Sequence, residues 1–360
     1  MTDAKVPLPT LLSDDGDSGS QAAAISPEFA GESLAAYAVR HGLRPSAERP
    51  PVVAYITEVW RRRHFVMAFA TARNIAMYTE AKLGQIWQVL TPLLNAGVYF
   101  LIFGLLLNIN RGIPNYLAFL VTGVFVFNFT QRAFITTSSV ITESLPLIRA
   151  LQFPRAALPL AYVVVELEQM ALAMAVLVVI VLASGEPITW YWLLVIPALL
   201  LQTIFNIGIG LFAARLGSQV NDFSQLLPFL MRTWLYLSGV LFSIQNLSLS
   251  KSSHVPAWAV PVLASNPAAV YIDLVRNSIM ASQRLSAPGS QPYNAARCGL
   301  WQHAVQSNTA VPSSLEYDSA YCHAQVTVAH FWYFGIGWAA LALVVGFFFF
   351  WRAETRYGRG

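Results

Sequence analysis

The chain has 360 residues, of which only 40 are charged (22 Lys and Arg, 18 Asp and Glu), or 11%. A soluble domain carries about 25%, so the charge needed to cover a water-facing surface is missing, while hydrophobic types reach 56%. That balance excludes a cytosolic enzyme, a nucleic-acid binder and a disordered scaffold, and it predicts an all-α membrane protein.

Residues 1–50 are polar and low in complexity, with SDDGDSGS among them, and predict a disordered tail. From 51 to 86 the chain mixes Val, Ile, Trp, Phe and Met with Arg and Glu. This is the composition of an amphipathic helix in a membrane interface, with Arg61, Arg62 and Arg63 near lipid phosphates and Trp60 and Phe65 buried. A solvated regulatory helix is the alternative. Runs without Asp, Glu, Lys or Arg then place six spans near 87–108, 116–138, 157–183, 190–214, 227–249 and 330–351, since a crossing needs about 20 apolar residues. Together they form a membrane domain over 87–351, with an amphipathic loop at 139–156 between the second and third spans. The stretch 252–280 is apolar but carries Pro256, Pro261 and Pro267. Prolines this close break a spanning helix and predict re-entrant half-helices that dip into the membrane and return. An outer loop at 281–328 and a tail at 352–360 complete the chain.

Basic residues orient this plan. The segments assigned inside hold Lys5, Arg40, Arg44, Arg49, Arg61, Arg62, Arg63, Arg73, Lys82, Arg149, Arg155, Arg215, Arg352, Arg356 and Arg359. Those assigned outside hold Arg111, Lys251, Arg276, Arg284 and Arg297, fifteen against five. Excess Lys and Arg mark the cytoplasmic face, which places both termini inside a cytoplasmic membrane and brings membrane lipids in as partners. Cys298 and Cys322, the two cysteines, both fall in the outer loop. A disulfide there suits an oxidising exterior; a metal site with His303 and His323 is the alternative, without close ligand spacing to support it.

Few groups could do chemistry. Glu166 and Glu168 are two apart, so on one helix they point in different directions and form no acid/base pair. An ion pair with Arg132 or Arg232, or a contact at the inner rim, accounts for them as well as a ligand role does. No Gly precedes a Lys, so there is no phosphate loop for ATP. Gly208 with Gly210 and Gly335 with Gly337 lie inside spans as small packing residues. Tyr99, Phe103, Phe127, Trp234 and Tyr236 fall within spans, where rings serve either as platforms for sugars or as packing.

The loop sequence LIRALQFPRAALPL resembles that of type-2 ABC-exporter permeases that carry polysaccharides. YTEAKLGQIWQVLTPLLNAGVYFLIFGLLLN, YLAFLVTGVFVFNF and NPAAVYIDLVRNSIM agree in the same order. The resemblance implies a six-span permease that pairs with a second copy of itself and with two ATP-binding ABC subunits. ATP and Mg would sit on those subunits and no cofactor on this chain. It further implies a channel lined by the first and fifth spans, where Tyr99, Phe103, Phe127, Trp234 and Tyr236 would meet a lipid-linked cell-wall or surface polysaccharide. Arg149, Phe153, Pro154, Arg155 and Asp222 would couple to the ATPase. Many relatives have Arg-Asp before the fifth span where this chain has Asn221 and Asp222. A proton-driven flippase using Glu166 or Glu168 and a membrane-embedded glycosyl or lipid transferase are the other readings.

Overall fold

A computed structural model of the chain describes residues 51–78, 84, 86–107, 115–151, 153–220, 222–244, 259–280, 307 and 328–354. The tail at 1–50, Asn221, Cys298 and Cys322 lie outside the described residues. Among those residues all regular structure is helical.

Helices α1 (Val52–Arg61) and α2 (Arg63–Tyr78) are joined by a bend at Arg62. Helix α2 buries Val66 and Ala70 against Ala157, Ala161 and Val165, a row of small residues that lets the two helices approach. The opposite faces of α1 and α2 expose Val53, Ile56, Trp60 and Met67. Trp60 is 69% exposed from the protein, with Arg63 stacked 5.6 Å from its ring. Side chains of this kind suit the headgroup level of a bilayer.

Among the described residues, five helices are long and apolar enough to cross a membrane: Val89–Leu106, Tyr116–Glu143, Ala157–Ala183, Trp190–Gln219 and Ala329–Trp351. The first is α3 (Ile86–Tyr99), which has Pro92 in its interior and continues as a wider π-helical stretch, Phe100–Leu106. Helix α4 (Tyr116–Glu143) is the axis of the fold, with Phe119, Phe125 and Phe127 fully buried. A short α5 (Leu145–Ala150) leads to α6 (Ala157–Ala183). A 3-10 turn, Trp190–Leu194, opens α7 (Val195–Gln219). The last is α11 (Val328–Trp351), which lies along α7. Gly208 and Gly346 face each other there, so that a Cβ on either would strike the other helix's backbone.

The predicted span 227–249 differs. Its helix, α8 (Phe223–Leu237), has 15 residues and stops at Ser238, before Gly239 at φ 68°. A left-handed residue cannot continue a helix and favours glycine. Helix α8 nevertheless runs along α4. The Ser138 and Ser224 hydroxyls are 3.1 Å apart at one end, and the Tyr116 hydroxyl donates to the Leu241 carbonyl (2.9 Å) at the other.

Two short helices follow, α9 (Ala259–Ala264) and α10 (Pro267–Ile279). Asn266 caps α10 by accepting from the Ala268 N–H, with Pro267 at the first helical position, where its missing donor costs nothing. Helix α10 is buried along almost its whole length, between α4, α7 and α11.

Candidate functional site

The loop between α4 and α6 defines one end of the bundle, the near end. Arg73 of α2 lies 3.7 Å from Glu143 at the end of α4, its guanidinium 4.0 Å above the Tyr162 ring. Glu143 also accepts from Ser139 (2.6 Å). Glu168 accepts from Thr71 (3.0 Å) and Asn74 (2.8 Å) of α2. The apolar side of the same junction is aromatic, with Phe65 5.3 Å from Phe153. Helix α2 is therefore bolted to α4, α6 and the loop by charge and by ring packing together.

The predicted loop residues divide into two groups. Arg149 faces outward, as do its neighbour Leu151, which the sequence reading did not single out, and Asp222, which precedes α8 at the same end. Phe153, Pro154 and Arg155 are instead turned into the protein. Pro154 is buried, and the Arg155 guanidinium donates to the Glu354 carbonyl beyond the end of α11. The outward set forms a surface that a soluble partner can reach, while the inward set ties that surface to the bundle.

Inside the bundle, Arg132 Nε lies 2.9 Å from Glu166 Oε2, and Glu166 is only 4% exposed. This is the ion pair anticipated for that carboxylate, and packing selects Arg132 over Arg232. Glu168 points to α2 instead, so the two acids do diverge. Pro92, Asn128 and Gln169 line a narrow cleft beside the pair.

The aromatic residues lie on α3, α4 and α8. Tyr99 and Phe103 are 6.4 Å apart and half-buried. Trp234 is half-buried, meets Phe127 edge-on at 6.1 Å and donates to Asn266 Oδ1 (2.8 Å). Phe127 is fully buried, so it backs the Trp234 ring instead of facing an opening. Tyr236 is 45% exposed. Around these rings α3 exposes Leu94 and Val98, its π-helical continuation exposes Leu101, and α8 exposes Leu226, Phe229 and Leu230. Both helices thus expose apolar and aromatic side chains beside α4.

At the far end sits a buried cation. Arg276, assigned above to an outer segment, is 3% exposed within α10. Its guanidinium donates to the carbonyls of Phe119 (3.0 Å), Gly239 (2.8 Å) and Val240 (2.9 Å) and pairs with Asp273 (3.4 Å). A buried cation needs that many partners. The available signal was Asp273 and Arg276 at helical i,i+3 spacing in an apolar run. Tyr55 and Glu354, which meet at the start of α6, carried no comparable signal.

A family model described as ABC-2 type transporter matches residues 65–279. The chain belongs to this family. The ABC-2 match runs from α2 to the end of α10, so it takes in the near-end loop, the aromatic face and Arg276. The chain is also similar to the O-antigen export system permease protein RfbA of Klebsiella pneumoniae, at 26% identity over 214 residues, 58% of this chain and 79% of that one. The RfbA permease of Myxococcus xanthus matches at 24% over 196 residues, 54% of this chain and 75% of its own length. As an ABC-2 chain, the molecule is a multi-pass membrane transporter component. Tyr55, Glu354 and α11 lie outside the matched residues.

Proposed function

We propose that this chain is the transmembrane subunit of an ATP-driven exporter that moves a lipid-linked cell-wall or surface polysaccharide across the cytoplasmic membrane. The observation that carries the reading is the similarity to O-antigen export permeases over 58% of the chain, beside a family match whose residues 65–279 build the near-end loop and the aromatic face. Aromatic rings offer flat apolar area to sugar rings while leaving the sugar hydroxyls free to bond elsewhere. The exposed face of α3 and α8 is where a second copy of the chain would close a channel. Arg149, Leu151 and Asp222 would meet the ATP-hydrolysing subunits, which hold ATP and Mg. Helix α8 with its turn supplies the sixth crossing. It accompanies α4 from Ser138 to Tyr116, and that length of α4 rises about 33 Å, close to the hydrocarbon thickness of about 30 Å. With six crossings both termini are cytoplasmic, α9 and α10 form the re-entrant segment, and Cys298 and Cys322 share an oxidising exterior.

The Arg132–Glu166 pair favours a structural role for this carboxylate over a proton relay, because a fixed partner at 2.9 Å already accounts for its burial. Depletion of the chain in its host tests the proposal. A lipid-linked glycan should accumulate on the cytoplasmic leaflet, identifiable by extraction and sugar analysis, and export should stop when the ATPase partner is inactivated. Unchanged surface polysaccharide after depletion would refute the assignment.

A further inference from the structure

Glu354 is a buried carboxylate that the transport path does not use. It follows the last span, and both of its oxygens are occupied. Oε2 accepts from the Tyr55 hydroxyl (2.8 Å) and Oε1 from the Arg155 backbone N–H (3.1 Å). The Tyr55 oxygen in turn accepts from the Ala156 backbone N–H (3.1 Å). Arg155 and Ala156 immediately precede α6, where the first backbone N–H groups of a helix have no intrahelical acceptor. The acceptors come from distant parts of the chain: Tyr55 from α1 and Glu354 from beyond α11. A carboxylate at that position also complements the positive end of the α6 dipole.

The end of the near-end loop is therefore held by α1 and the last span at once. Helix α11 is itself locked to α7 through the Gly208 and Gly346 contact and through Arg215, which donates to the Phe349 carbonyl and stacks on that ring at 4.0 Å. We propose that Tyr55 and Glu354 are positioning residues that couple the loop to the last span, so that a partner displacing the loop carries α1, α11 and α7 with it. The inference rests on the reading of this loop as the docking surface of an ATP-hydrolysing subunit. It adds a route for the motion that does not pass through α4.

The test uses the full permease–ATPase complex and compares Y55F, E354A, E354Q and the Y55F/E354A double variant. Y55F removes the shared oxygen and leaves the ring beside Phe347 (6.2 Å), while E354Q keeps an acceptor for the Arg155 N–H. Two quantities are read: ATP hydrolysis by the purified complex, and surface polysaccharide labelled from radioactive glucose in cells whose only copy is the variant. Y55F and E354A should keep hydrolysis within about twofold and lose export per ATP by about fivefold, the scale of one lost hydrogen bond. E354Q should stay near wild type, and the double variant should fall no further than E354A, since both residues serve one joint. A Y55F complex with the wild-type export per ATP would overturn the inference. So would export and hydrolysis falling together in step with permease abundance, which is what a merely structural role produces. Should E354A fail to accumulate, the Y55F and E354Q pair decides. Wild-type cells whose labelled surface polysaccharide does not depend on the permease at all would instead sink the exporter reading, and this inference with it.

Discussion

Arg132 and Glu166 form an ion pair with one partner open and the other closed: Arg132 is 36% exposed and Glu166 only 4%. Removing either should therefore cost different amounts. R132Q strands a buried carboxylate, at about 3 kcal/mol, whereas E166Q leaves a guanidinium that can reach water or headgroups, at about 1 kcal/mol. Unfolding midpoints of the purified variants measure the asymmetry. E166Q should also go on exporting, and loss of export in a stable E166Q protein would revive the proton-relay reading.

Arg276 supports the turn after α8. R276Q strips a donor from the carbonyls of Phe119, Gly239 and Val240. Its expected cost is about 3–5 kcal/mol, the range for breaking a buried charged network. G123A should destabilise through the same residue, because a Cβ at position 123 would strike the guanidinium. Thermal unfolding that leaves either variant at the wild-type midpoint would contradict the assignment.

The glycines of the spans separate by environment. At 208 and 346 a Cβ meets the opposing helix backbone, so G208A and G346A should each cost about 1–3 kcal/mol through overpacking. Nothing lies within 4 Å of a Cβ at 337, so G337A should be neutral, or gain up to about 1 kcal/mol from helix propensity. Comparing the three unfolding curves checks whether α7 and α11 pack as described.

The aromatic residues should separate likewise. Phe127 is fully buried, so F127A should cost about 3–5 kcal/mol of stability whatever its effect on export. Tyr236 is exposed, so Y236A should fold normally. It should instead raise the amount of extracted lipid-linked glycan needed for half-maximal ATPase stimulation by about fivefold, the loss of one ring contact. An unchanged stimulation curve would remove Tyr236 from the proposed channel.

Stability at the near end should depend on pH. Burial holds the Glu354 carboxyl above its ordinary value of 4.5, and Glu58 pushes the same way. The hydrogen bonds from Tyr55 and Arg155 and the Arg155 charge oppose the shift. The folded chain thus binds this proton more tightly than the unfolded one. Its contribution is fully present below about pH 4.5 and is lost as pH rises through the raised value. E354Q should flatten that decline in unfolding midpoint against pH, and parallel wild-type and E354Q curves would refute it.

The five long helices were legible because hydropathy is local: a run of apolar residues without charge identifies a span wherever its neighbours are. The end of α8 was not. Nothing in the run from 227 to 249 separates a continuous helix from one that stops at Gly239, and the carbonyls released by the stop are satisfied by Arg276, which lies 37 residues from Gly239. The pairing of Glu166 was half legible. An acid in an apolar helix demands a cation, and the packing of α4 on α6 supplied Arg132.

By itself the sequence determined that this is an all-helical membrane protein, where its long helices lie, and which family's loop and helix pattern it carries. The tertiary structure decided the partners of the buried polar groups. Tyr55 and Glu354 are 299 residues apart and meet at the start of a third helix. Hydrophobic burial depends on residue type and so can be read along a chain. A hydrogen bond depends on distance and direction, which exist only once the helices have packed.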